Sequence, residues 1–206
     1  MTEHAPDERR PQPEQPTREQ QPAGEPDPAR EPDPGQIALM AAVLELERHV
    51  REAGWDQPAR LFALVPTDEL IATEPELAST LGLRGSADGA PDDALTAIEQ
   101  DEFASGGDLY DDLAALEWPG TVFGCAVSVE RSFLPPSAED DIPDDPTAAA
   151  AFVAEHPERQ DVRVLVAVDR AGHQHGVARL VSQPDELLAA DNLVPGLVSA
   201  LTHTLT

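Results

Sequence analysis

The chain has 206 residues, with 40 Asp and Glu against 13 basic side chains and a net charge of −27. All thirteen basic residues are arginine, so Schiff-base chemistry, a cofactor aldimine and a P-loop lysine are excluded. A field of this sign repels nucleic-acid phosphates and anionic membrane surfaces, and suits cationic proteins or cations.

Residues 1–34 hold nine prolines and no Val, Ile, Leu or aromatic residue. Such a segment cannot bury enough apolar surface to offset its ordering entropy. It reads as a disordered Pro/Glu-rich tail, and residues 35–206 as a single α+β domain. The one cysteine, Cys125, cannot form an intrachain disulfide. No leader pattern is recognisable at the start of the chain, and no apolar run approaches the roughly 18–20 residues of a membrane span. The expectation is a cytoplasmic protein in a reducing compartment.

Along the chain, Leu39, Val43, Leu46 and Val50 form a helical stripe, widened by Ile37, Met40 and Leu44, and Gly54 marks its stop. Residues 60–65 (RLFALV) read as a strand. In residues 67–82 Thr67 is a candidate N-cap, and Pro75 splits the segment into short helical pieces. Residues 95–100 fit a strand or a helical turn. Asp108 caps a helix bearing Leu109, Leu113 and Leu116. In residues 121–133 Phe123, Cys125, Val127 and Val129 alternate with smaller or polar residues, which predicts a strand with one apolar face. A helix is expected at 146–155. Strands at 162–168 and 175–181 join through a hairpin at Gly172. A final helix carries Val194, Leu197, Val198, Leu201 and Leu205, with Asn192 or Asp191 as its cap.

This order predicts an α+β fold: one antiparallel or mixed sheet of four to five strands, with helices packed mainly on one face. The element order is similar to that of secretion-chaperone-like domains. The alternative is an α/β sandwich, against which stands the absence of a Gly-rich phosphate loop.

Chemistry-bearing residues are few. Cys125 lies on an apolar strand face and reads as a buried, inert thiol. His173 and His175 point to one side of a strand. They are either a metal pair awaiting a third ligand such as Asp169, or ordinary polar residues beside a turn. A three-residue hairpin loop opposes Asp169 to His173 and Arg163 to Arg179. Facing arginines need a neutralising partner, from the chain's own carboxylates or from another protein. The stretch 134–146 packs five carboxylates and four prolines into thirteen positions. Its prolines end a strand, and Asp145 and Pro146 start a helix. That leaves Glu139, Asp140 and Asp141 as candidate contacts. Trp55 and Trp118 are each either an anchor for a partner or a lid on the core.

The segments LELERHVREAGWDQPARLFALVPTDEL, EWPGTVFGCAVSVERSFLPPSAEDDIPDDPTAAAAFVAEHPERQDVRVLVAV and NLVPGLVSALTHTL resemble a family of actinobacterial proteins with no assigned activity, over residues 37–205. The resemblance marks 54–58, 117–119, 134–139 and 156–160 as shared stretches. Relatives tend to carry proline in place of Ala97, which implies an extended strand there. The reading for function is a non-enzymatic, acidic, chaperone- or adaptor-like domain. Its partner would be an unidentified, cationic protein, with no cofactor, nucleic acid or membrane involved. Other readings are a metal-dependent enzyme using His173 and His175, and a structural oligomer such as a homodimer.

Overall fold

The computed structural model describes residues 33–103, 107–139 and 141–206. Most of the tail assigned to residues 1–34 lies outside them, and so does Asp140. Helix α1 (Pro34–Glu52) starts on Asp33, whose carboxylate accepts the Gly35 N–H at 3.0 Å, with Pro34 in its first turn. Strand β1 (Arg60–Pro66) runs into α2 (Thr67–Thr73) and α3 (Pro75–Leu81), separated at Glu74 just before the proline. Thr67 is not the cap: it is the first helical residue, and its hydroxyl meets that of Thr96 at 2.9 Å. Strand β2 (Leu95–Glu99) resolves the ambiguous segment as extended. Helix α4 (Leu109–Ala114) is capped by Asp108, which accepts the Tyr110 and Asp111 N–H groups. Strand β3 (Gly124–Phe133) leads to a short turn of helix, α5 (Pro136–Glu139). Asp145 then caps α6 (Pro146–Glu155) by accepting the Ala148 N–H at 2.9 Å.

Strands β4 (Gln160–Asp169) and β5 (Gln174–Leu180) form the expected hairpin, with Gly172 at φ 91°. A short strand β6 (Leu188–Ala190) precedes α7 (Pro195–Thr204). Helix α7 starts without a side-chain cap: Asp191 turns to His175 at 3.1 Å instead.

The sheet is antiparallel, with six strands in the order β2-β1-β3-β4-β5-β6. The count exceeds the expected four to five because β6 adds an edge that three exposed residues do not announce. The layering also differs from the expectation. Helix α1 packs on one face with Phe62, Leu64, Ala126, Leu165, Ala167 and Val177. Helices α4 and α7 pack on the other, over Leu61, Ala63, Cys125, Val127, Val164 and Val166. The fold is α+β, but its two terminal helices cover opposite faces. The reason lies in β3. Ala126 and Ser128 looked like a solvent-facing side, yet they are buried. Ala126 belongs to the apolar cluster on the α1 side. The apolar runs of β1 and β4 are continuous for the same reason, since both their faces are covered.

On α1 the buried residues are Leu39, Val43, Leu46 and Val50. Ile37, Met40 and Leu44 do not widen that stripe and are exposed. Leu165 is 1 % exposed, between α1 and the sheet. Leu165→Ala is expected to lower unfolding free energy by about 2–5 kcal/mol, through lost burial plus a residual cavity. Urea denaturation of both proteins checks this.

Candidate functional site

The hairpin register sets Arg163 opposite Arg179 and carries Asp169 to His173, as the spacing required. Both arginines point to the α1 side and are buried, with side chains only 2 % and 8 % exposed. They are therefore not a surface that a partner can read. The carboxylates that neutralise them are internal. Glu130 of β3 takes Arg163 through Nε at 3.0 Å and Nη2 at 2.6 Å. Glu47 of α1 takes Arg179 Nε at 2.6 Å.

Glu47 carried a signal in the sequence. It falls four residues after Val43, inside the buried stripe, where a charge needs a partner. Glu130 sits opposite Arg163 in the β3–β4 register. Each arginine also donates to backbone carbonyls, while Nη1 of Arg163 is buried without a partner among the described residues. Arg163 donates to Gly54, and Arg179 to Pro184 and Glu186. Arg179 is held firmly protonated by its bond to Glu47, against the opposing effect of burial.

Trp55 stacks on this arrangement, its ring 4.4 Å from the Arg163 guanidinium carbon. The next residue, Asp56, has φ 62°, and its N–H donates to Glu130 at 2.8 Å. The Trp55 turn thus closes over the Arg163–Glu130 pair. Its outer side lines an open cleft of about 450 Å³ with Gln57, Arg131, Ser132, Arg159 and Asp161. Asp161 accepts from Ser132 at 2.5 Å and from Arg159 at 2.7 Å, which lowers its pKa, with the Ser132 bond the larger cause. Residues 54–58 and 156–160, two of the stretches that carried the family resemblance, meet in this cleft.

Trp118 is buried at 9 % in the α7-side core, and its backbone N–H donates to the Thr204 carbonyl at 3.0 Å. It is a core residue, not a partner anchor. Arg170 gathers the same corner, donating to carbonyls of Val122, Leu205, Trp118 and Pro119.

The model of the PPA1309-like protein family matches residues 39–206. The chain belongs to this family. No curated protein and no solved structure matches it. The matched region begins inside α1 and takes in every strand of the sheet.

In this PPA1309-like chain the two histidines share a face but not a site. His173 meets Asp169 through Nδ1 at 2.8 Å and Asp33 through Nε2 at 3.3 Å, whereas His175 meets Asp191 at 3.1 Å. Among the described residues no group of three or more His, Cys, Asp or Glu is placed to hold a metal ion. His173 has its pKa raised, first by the Asp169 hydrogen bond and further by the charges of Asp169 and Asp33, with burial opposing. The Cys125 thiol is pushed up to about 11 by burial, so it stays protonated and unreactive at neutral pH. Asp141 is exposed. Asp140 and the Glu139 side chain fall outside the described residues.

A second cleft, of about 270 Å³, opens between α1 and β2. Leu46, Phe62, Leu81, Leu83, Leu95 and Ala97 make it largely apolar, and Glu45, His49 and Glu99 stand at its sides. Arg60 grips Glu99 with two bonds of 2.6 and 2.5 Å and holds that carboxyl below the usual carboxylate range, against the effect of burial.

Two outcomes follow. Glu47→Ala strands a buried guanidinium and is expected to cost about 3–5 kcal/mol. The double replacement Glu47→Leu with Arg179→Met is expected to lose far less, and denaturant titration of both variants reads the difference. The His173 contribution is present below its ordinary pKa near 6.5 and is lost as pH rises through the raised folded value. The stability gap between wild type and His173→Gln should therefore be wider at about pH 5.5 than at about pH 9.

Proposed function

We propose that this chain is a non-enzymatic, acidic protein-binding domain, chaperone- or adaptor-like, that engages a cationic protein partner. One observation carries the reading: the arginines placed within the fold, Arg60, Arg163 and Arg179, are each already tied to a carboxylate of the chain. Arg163 and Arg179 are buried in ion pairs, Arg60 is held by Glu99, and Arg170 clasps backbone carbonyls. Each of these pairs removes one acid with one arginine, so the excess of Asp and Glu over Arg stays with the rest of the chain. Residues 67–102, which frame the apolar cleft, carry ten acidic residues against a single arginine, Arg84. A surface of that sign steers a basic partner toward contact, and the apolar cleft supplies area that charge alone does not. No helix of the described residues is long and apolar enough to cross a membrane.

The test is affinity purification from the native host, followed by reconstitution with the purified partner. The expected partner is basic. Its association rate should fall steeply as salt rises from about 0.1 M to about 1 M, where the screening length shrinks from about 10 Å to about 3 Å. A partner that is acidic, or that binds with no salt dependence, overturns the reading.

A further inference from the structure

We propose that the outer edge of β2 is a docking edge, on which an extended cationic segment of a partner adds as a further strand and seats alternate apolar side chains in the α1–β2 cleft. The proposal rests on the protein-binding reading and specifies where and how the partner is held.

The ladder gives the first argument. Gln100 donates to Leu61 at 2.9 Å, and Thr67 donates to Ala94 at 2.8 Å. Antiparallel pairing alternates, so the even-numbered residues of β2 bond β1. Leu95, Ala97 and Glu99 accordingly turn their backbone N–H and C=O groups away from it. Among the described residues no strand pairs with that side. The strand LTAIE contains no proline, and its one charged residue, Glu99, is tied to Arg60. The opposite edge, β6, is only three residues long.

The cleft beside this edge points the same way. Leu95 and Ala97 point to the α1 side, where they pack against Leu46 and Phe62. Side chains of an added strand opposite them would point the same way, between α1 and the exposed Leu81. Backbone bonds then supply affinity, and the cleft selects apolar residues at every second position.

Charge chooses the occupant. Glu45 and Glu99 line the cleft, and residues 67–102, which include β2, Leu81 and Leu83, carry ten acids against one arginine. A second copy of a chain with net charge −27 is repelled there. An extended segment alternating apolar residues with Arg or Lys fits both the cleft and the field. The inference concerns this chain, whose Ala97 keeps an outward N–H that proline would lack.

The probe is a synthetic peptide alternating valine with arginine, titrated against the full-length protein by fluorescence anisotropy. A second peptide has the same sequence with alternate residues N-methylated, which keeps charge and apolar content but cannot complete a ladder. Ala97→Pro removes one outward donor and leaves the β1 ladder intact. Leu81→Ser strips apolar surface from the cleft at an exposed position and serves if the proline variant fails to fold. The expected result is binding weakened about tenfold or more by methylation and by either substitution. If both peptides bind all three proteins equally, attraction is purely electrostatic and the docking edge is wrong, while the acidic-domain reading survives. No binding of either peptide, or dimerisation of the protein without peptide, also overturns the docking edge.

Discussion

Two like charges placed face to face inside the protein organise the rest of the fold. Arg163 and Arg179 oppose each other across β4 and β5 beneath α1, where water cannot screen them. Left alone, each would carry a desolvation penalty of several kcal/mol. The structure answers with one carboxylate apiece, from elements distant in sequence. Glu130 ties β3 and the Trp55 turn to β4, and Glu47 ties α1 to β5. Such pairs contribute little net stability compared with apolar replacements, but they penalise any arrangement that separates them. They therefore act on specificity. A shift of α1 along the sheet, or of β4 by one residue, would strand a charge.

Arginine, and not lysine, suits this role. Its planar fork serves a carboxylate and a carbonyl at once. Arg163 joins Glu130 to Gly54, and Arg179 joins Glu47 to Pro184 and Glu186. Arg170 reaches four carbonyls around Trp118 and the end of α7. One hairpin thereby fastens the turn after α1, the loop before β6 and the C-terminal corner. The same economy sets the surface. Arg163 and Arg179 are directed inward, and on the exterior Asp and Glu outnumber the arginines that remain, so the field available to a partner has one dominant sign.

How much of this was legible depends on whether neighbours in sequence or partners in space decided the matter. The hairpin register could be read because Gly172 supplies a left-handed turn and the flanking residues alternate. The caps at Asp108 and Asp145 were legible because their bonds are local. The two-sided burial of the sheet was not. Ala126 and Ser128 are buried, yet small residues resemble an exposed face when only their polarity is weighed. Strand β6 has neither length nor apolar alternation and exists through its pairing with β5. Asp191 looked like a helix cap and became the partner of His175. Trp118 could not be sorted into anchor or core from its turn alone, because Thr204 and α7 decide it.

Covering both faces of the sheet has a consequence for binding. An antiparallel sheet with one bare face could offer that face to a partner. Here α1 occupies one side, and α4 and α7 the other. What remains are the edges and the gaps where a helix stops short of an edge. One gap lies beside Trp55, where Arg159 is paired with Asp161 and Glu130 with Arg163, beside Arg131 and Asp56. The other lies between α1 and β2, where the lining is mostly apolar and the backbone is open. Exposed apolar surface next to unpaired strand groups is unfavourable in water unless it serves a contact. The ten acids of residues 67–102 solubilise that region in the free protein and also select the sign of whatever covers it. Solubility and partner choice thus arise from the same residues, so removing the acids would weaken both together.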